Sequence, residues 1–160
     1  MASDMFLKLD GISGESADSK HKGEIDIESF SFGVHQTGTA ASGGGMGAGK
    51  ASFNDLNIVK KADKSSPNLM LKCATGEHIA SALLTVRKAG GQQQEYYKIK
   101  LTDILVSSFQ NTGSGHDAIP VETLALNFAK IEFEYNEQDN KGGLKGVVKA
   151  GYDIKGNKKA

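Results

Sequence analysis

Hydrophobic positions alternate with a period of two over most of this chain, and that pattern predicts strands. The most informative stretch is Gly23 to Gln36, GEIDIESFSFGVHQ, where Ile25 and Ile27 sit on odd positions whereas Phe30, Phe32 and Val34 sit on even ones. The phase slips once, near Glu28 and Ser29. A one-residue slip moves the apolar set to the opposite face, so a straight strand cannot keep both sets in one core, and a bulge or sharp bend is required there. The device recurs in VETLALNFAKIEFEY, where Leu124, Leu126 and Phe128 are even but Ile131, Phe133 and Tyr135 are odd, with the slip near Ala129 and Lys130. Two long strands with matched slips suggest partners that pair and turn one corner together. Run straight for about 15 residues, either strand would span roughly 50 Å, against a diameter near ~40 Å for a compact chain of this length. Such strands either coil around a barrel or extend beyond the body into an assembly.

The other segments fit around these two. Met5 to Leu9 is a short opening strand, and Gly11 to Gly23 is a polar loop in which His21 reads as a solvated residue. Leu56, Ile58 and Val59 make another strand. Ser66, as an N-cap before Pro67, opens one helix of two to three turns carrying Leu69, Met70, Leu71 and Cys73, with Gly76 at its end. Ile79 to Lys88 and Tyr96 to Phe109 form a hairpin about Gly90 and Gly91. In its second arm Tyr97, Ile99, Leu101, Leu105 and Phe109 share one face. The other face changes from Lys98, Lys100 and Thr102 to Ile104 and Val106, as expected of a strand entering an interface or following a curved core. The polar, Gly-spaced tail offers Val147, Val148, Tyr152 and Ile154 as docking points. These elements describe one domain over residues 1–160, mainly β, a bent barrel with a single helix.

Composition narrows the functional classes. Twenty glycines against two prolines favour turns and bends over a helical bundle, and the apolar runs are too short to cross a bilayer. Lys plus Arg and Asp plus Glu both number 19, a zero net charge that argues against a coat for nucleic acid or an anionic membrane. Cys73 stands alone, so no internal disulfide forms. MASDMFLKLDG lacks the basic and apolar regions of a secretory signal, so folding in the cytoplasm is expected, with any export by a dedicated machine.

Candidate chemistry is sparse. Gly44 to Lys50 matches the first seven positions of the phosphate loop G-x-x-x-x-G-K-[ST], but Ala51 replaces the magnesium-binding hydroxyl and a strand rather than a helix is expected to follow. A long Gly-rich loop from Thr37 to Lys50 that reaches outward is the better reading. The histidines at 21, 35, 78 and 116 have no metal-ligand spacing, Cys73 reads as a buried apolar residue, and His116 beside Asp117 lies on a Gly-rich turn with no nucleophile elbow. No catalytic residue, metal or cofactor is expected. Two other classes are a nucleotide hydrolase, which would need ATP binding through Lys50, and a monomeric small-ligand barrel, which would need a closed apolar cavity.

Taken together, DMFLKLDGISGES, HKGEIDIESFSFGVHQ, GGGMGAGK, DKSSPNLMLKCATGEHI, VRKAGG, YYKIKLTDILVSSF, VETLALNFAKIEFEY and KAGYDIKGNKK, in that order, closely resemble the Hcp family, the tube proteins of bacterial type VI secretion systems. The chain has no Trp, and Phe30, Phe32 and Tyr152 stand where relatives often carry one. The resemblance implies a two-sheet antiparallel β-barrel with one short α-helix on its side and no enzyme activity. It implies a homo-hexameric ring that stacks into tubes, grows inside a contractile sheath under a VgrG-type spike, and is secreted on contraction in bacterial competition and virulence. Small secreted effectors would shelter in the pore. On this resemblance Ser31 and Ser29 line the pore, and Gly43, Gly44, Gly45, Gly47, Gly49 and Lys50 belong to an assembly loop that reaches a neighbouring subunit or ring. A tube protein of a related contractile apparatus, such as a phage tail, is the alternative reading of the same features.

Deleting Gly43 to Gly49 is expected to weaken ring stacking while leaving a folded, soluble subunit, as read by sedimentation; loss of the soluble subunit would contradict this.

Overall fold

The phase slip between Ile27 and Ser29 is where the chain passes from one sheet to the other. The computed structural model describes residues 2–36, 50–90, 92–139, 141 and 143–160. The stretch expected to be one bent strand is three short ones, β2 (Ile25–Asp26), β3 (Ser29–Ser31) and β4 (Val34–His35), and each has a different partner. β2 pairs with β1 (Ser3–Leu9), β4 with β5 (Ser52–Phe53), and β3 with β6 (Leu56–Lys61). Between them the Ile27 amide donates to the Met5 carbonyl at 3.1 Å and the next amide, Glu28, donates to the Val59 carbonyl at 2.8 Å. Consecutive amides thus tie the edges of two sheets together.

The remaining strands complete the circuit, all antiparallel. β1 pairs with β7 (Ile79–Lys88), β7 with β8 (Glu95–Thr112), and β8 with β9 (Val121–Gln138). The first part of β9 pairs with β6, which returns the circuit to β3. Further along, β9 exchanges β6 for β10 (Leu144–Asp153), whose end pairs with β11 (Lys158–Lys159). The fold is therefore a two-sheet antiparallel β-barrel whose remaining gap, between β2 and β3, is bridged by the chain itself over residues 25–31. Its interior is filled by side chains: Leu7, Ile25, Ile58, Leu84, Ile99, Ile104 and Leu124 are wholly buried.

The slip in β9 has a partner, but it is β8 and not the 23–36 stretch, which does not pair with β9. Core-facing positions on β8 change from Ile99 and Leu101 to Ile104 and Val106, and on β9 from Ile131 to Phe128. Asp103, opposite the break, takes a left-handed φ of 55°, a conformation that Asp tolerates better than most residues. Both strands change face at the same level, so Thr102 opposite Lys130 and Ile104 opposite Phe128 keep one register. Core curvature, and not an interface, accounts for the apolar change along β8. β8 and β9 have 18 residues each, roughly 60 Å of strand, and the far end of β9 leaves with β10, where Val147 and Val148 are exposed.

The one helix among the described residues, α1 (Ser66–Thr75), has Pro67 in its first turn and Gly76 in the left-handed conformation at its end, with the Gly76 amide bonded to the Lys72 carbonyl. Ser65 rather than Ser66 holds the N-cap position; the Ser66 hydroxyl instead accepts from the Asp63 amide at 3.0 Å. Leu69 is the residue α1 buries fully, with Cys73 half-buried against the core. Tyr152 and Phe32 pack on aromatic neighbours, Tyr152 on Phe53 at 5.5 Å and Phe32 on Phe133 at 6.0 Å, and so pin the β4–β5 pair to β9 and β10.

His21 is not a solvated loop residue. It lies buried and stacked on Phe6 at 4.3 Å, with Nδ1 2.9 Å from Glu24 and Nε2 2.6 Å from Glu95 at the start of β8. Arg87 sits 4.8 Å from the same Phe6 ring and donates to Asp4 and Asp18. These contacts fasten the loop between β1 and β2 across the sheet. The hydrogen bond from Arg87 is the main cause holding the Asp18 carboxyl at about 2, below its ordinary 3.8. A lowered carboxyl stabilises the fold above its unfolded value and loses that contribution as pH falls through the folded one. Wild-type protein is therefore expected to lose stability between about pH 4 and pH 2. Asp18→Asn should be less stable at neutral pH with a shallower fall over that window, measured as melting temperature against pH; parallel curves would contradict the assignment.

Candidate functional site

Strand alternation decides which side chains of β3 meet solvent. Phe30 and Phe32 turn toward the core, which leaves Ser29 and Ser31 exposed on the opposite face. The pairing of β3, β6, β9 and β8 extends that face into two rows. Ser29 stands opposite Val59, Val59 opposite Thr123, and Thr123 opposite Gln110; Ser31 stands opposite Asn57, Asn57 opposite Ala125, and Ala125 opposite Ser108. Neighbours in such rows lie within contact range. The result is a four-strand wall of short, uncharged, mostly hydroxyl and amide side chains.

Charge appears only at the ends of this wall among the described residues. At one end Lys61 and Glu28 approach to 3.9 Å. At the other, Asp55 precedes β6, and its carboxylate accepts from the Ser107 hydroxyl at 2.5 Å and from the Asn127 amide at 2.9 Å. Ser107 occupies the bulge where the β8–β9 register shifts between Val106 and Ser108, and such a bulge re-aims a side chain. The Asp55 cluster is invisible in the sequence because its members lie 52 and 72 positions apart.

A second polar group lies behind the wall. Lys60 continues the inward set of Leu56 and Ile58, and its wholly buried ammonium lies 2.6 Å from the wholly buried carboxylate of Glu122 and 3.0 Å from Asp63. The Asn111 amide donates to Glu122 at 3.0 Å. A lysine at an inward position is the one signal of this network in the sequence, and the network ties β6 and β9 to the approach of α1.

No catalytic constellation is assembled among the described residues. Ser107 has an Asp partner but no histidine; His78 pairs with Asp103 at 2.6 Å on the surface, His35 with Asn54, and the His116 amide bonds back to Ser114. No three His, Cys, Asp or Glu side chains gather as a metal would require, again among the described residues. Lys50 is exposed and the strand β5 begins at Ser52, so the helix that a phosphate loop needs is missing. Gly43, Gly44, Gly45, Gly47 and Gly49 lie outside the described residues.

Comparison with known proteins agrees with this architecture. The family described as type VI secretion system effector, Hcp, matches residues 6–135. Protein hcp1 of Pseudomonas aeruginosa is 45% identical over the full length of both chains. The crystal structure of Hcp1 from Salmonella typhimurium is 39% identical with a TM-score of 0.82, covering 99% of this chain and 100% of that one. A solved type six secretion system protein is 31% identical with a TM-score of 0.93 over the same shares.

Removing one partner of the buried pair strands the other charge, so Lys60→Met is expected to cost about 3–5 kcal/mol, and pairing it with Glu122→Leu should recover most of that loss. Denaturant titration of the single and double variants decides; additive losses would show that the two groups are not coupled.

Proposed function

Because this chain belongs to the Hcp family of type VI secretion system effectors, we propose that it is the subunit of that system's inner tube. Six copies close into a ring around a wide pore, rings stack, and contraction of the surrounding sheath expels the tube beneath a VgrG-type spike. Before firing the protein is cytoplasmic; afterwards it is extracellular. It works as a structural and carrier protein, not as an enzyme, with no cofactor and no nucleic-acid partner.

The observation that carries this reading is the exposed wall of Ser29, Ser31, Asn57, Thr123, Ser108 and Gln110 on a rigid sheet. Short neutral polar groups can hydrogen-bond a protein inside a pore without the apolar area or charge density that would hold it fast. Ser31 and Ser29 are assigned to effector contact within this wall. The long β8 and β9, with the exposed Val147 and Val148 of β10, extend past the barrel and suit contact with a neighbouring subunit. Gly43, Gly44, Gly45, Gly47, Gly49 and Lys50 are assigned to contact between subunits or rings. No helix among the described residues is long and apolar enough to cross a membrane. The filled barrel interior disfavours a small-ligand carrier.

Native mass of the purified protein, with electron micrographs of the same fraction, is expected to give a ring about six times the 16.9 kDa chain with an open centre; a stable monomer at micromolar concentration would overturn the reading. Ser31→Arg should keep rings while a co-expressed effector loses its protection. An unchanged effector level would reject the role of Ser31.

A further inference from the structure

The polar wall carries one carboxylate that no basic side chain neutralises among the described residues. Asp55 lies on the same side of the chain as Asn57, which faces Ser31 across the β3–β6 pair. Its two oxygens each accept one hydrogen bond, from Ser107 on β8 and Asn127 on β9. A carboxylate has about four acceptor sites, so both oxygens keep capacity for a further donor. The charged groups at the opposite end, Lys61 and Glu28, face each other and leave the wall net negative. Ser107 and Asn127 are themselves exposed, so this is a surface group held in a fixed orientation and not a buried charge in need of partners. Fixing the side chain beforehand removes an ordering cost from whatever binds it.

We propose that Asp55 is the charge-selecting residue of this wall: it receives a lysine ammonium or arginine guanidinium of protein cargo. The wall then favours cargo that presents a basic segment over cargo that presents an acidic one. A single exposed ion pair is weak, so the selectivity rests on the proposed ring and draws its strength from it. Copies of Asp55 repeated around one pore engage a basic segment together, and linked weak contacts raise affinity well beyond any one of them.

The test uses the full-length protein and two fluorescent peptides of equal length, one Lys-rich and one Glu-rich, with binding read by anisotropy at low and high salt. Wild-type protein should bind the Lys-rich peptide in preference, and less tightly as salt rises. Asp55→Asn, which keeps a polar group of the same shape for Ser107 and Asn127, should weaken that binding at least about tenfold, and Asp55→Glu should retain most of it. Equal binding by wild type and Asp55→Asn, or no preference between the peptides in wild type, overturns the proposal. Micrographs of the same samples separate the two readings. Rings without Asp55-dependent binding overturn this inference alone. A wild-type monomer overturns the ring reading and, with it, the selectivity that the ring would multiply.

Discussion

The fold depends on two consecutive backbone amides that point to different sheets. A strand residue donates to one side and its neighbour to the other, so the chain at Ile27 and Glu28 can bond β1 and β6 at once. Without that seam both edges would be left with unpaired donors and acceptors, an exposed template for aggregation. Closing it also sets the orientation of β3. Once Ile27 is buried and the phase slips, Phe30 and Phe32 return to the core and Ser29 and Ser31 must face out. The polar wall is thus a consequence of how the barrel is shut.

The same logic operates at the second slip, where Asp103 and Ala129 let β8 and β9 turn together without losing register. The consequence is a pair of strands that serve two bodies. Near β6 they form the wall, and beyond the slip they support β10 and the exposed apolar positions of the C-terminal hairpin. The buried Lys60–Glu122 pair fixes β6 against β9 on the wall side, while His21 and Arg87, gathered on Phe6, fasten the loop on the other. A rigid frame of this kind suits the expulsion proposed for the tube, through which surface groups would have to hold their places.

How much can be read from the sequence depends on how local each signal is. Both phase slips, the helix between Pro67 and Gly76, and the outward placement of Ser29 and Ser31 are legible, because alternation and end signals are properties of neighbouring residues. The β7–β8 hairpin is legible from its Gly turn, but which distant strands pair is not, since phase specifies a face and not a partner; hence the 23–36 stretch suggests β9 as its mate when β8 is the strand that turns with β9. His21 reads as solvated in the sequence because its burial depends on Glu95, 74 positions away, and the Asp55 cluster is equally non-local. Lys60 is missed although its signal is local, a charged residue that continues the inward alternation of Leu56 and Ile58 and so requires a buried partner.

The proposed function depends most heavily on where the Ser29 and Ser31 face lies in the assembled particle. A cryo-electron microscopy map of the purified assembly measures that position directly. It is expected to show a closed six-fold ring with β3, β6, β9 and β8 lining the central channel and Ser31 turned into it. A map with that face buried between subunits or turned to the outside would contradict the tube-lining role.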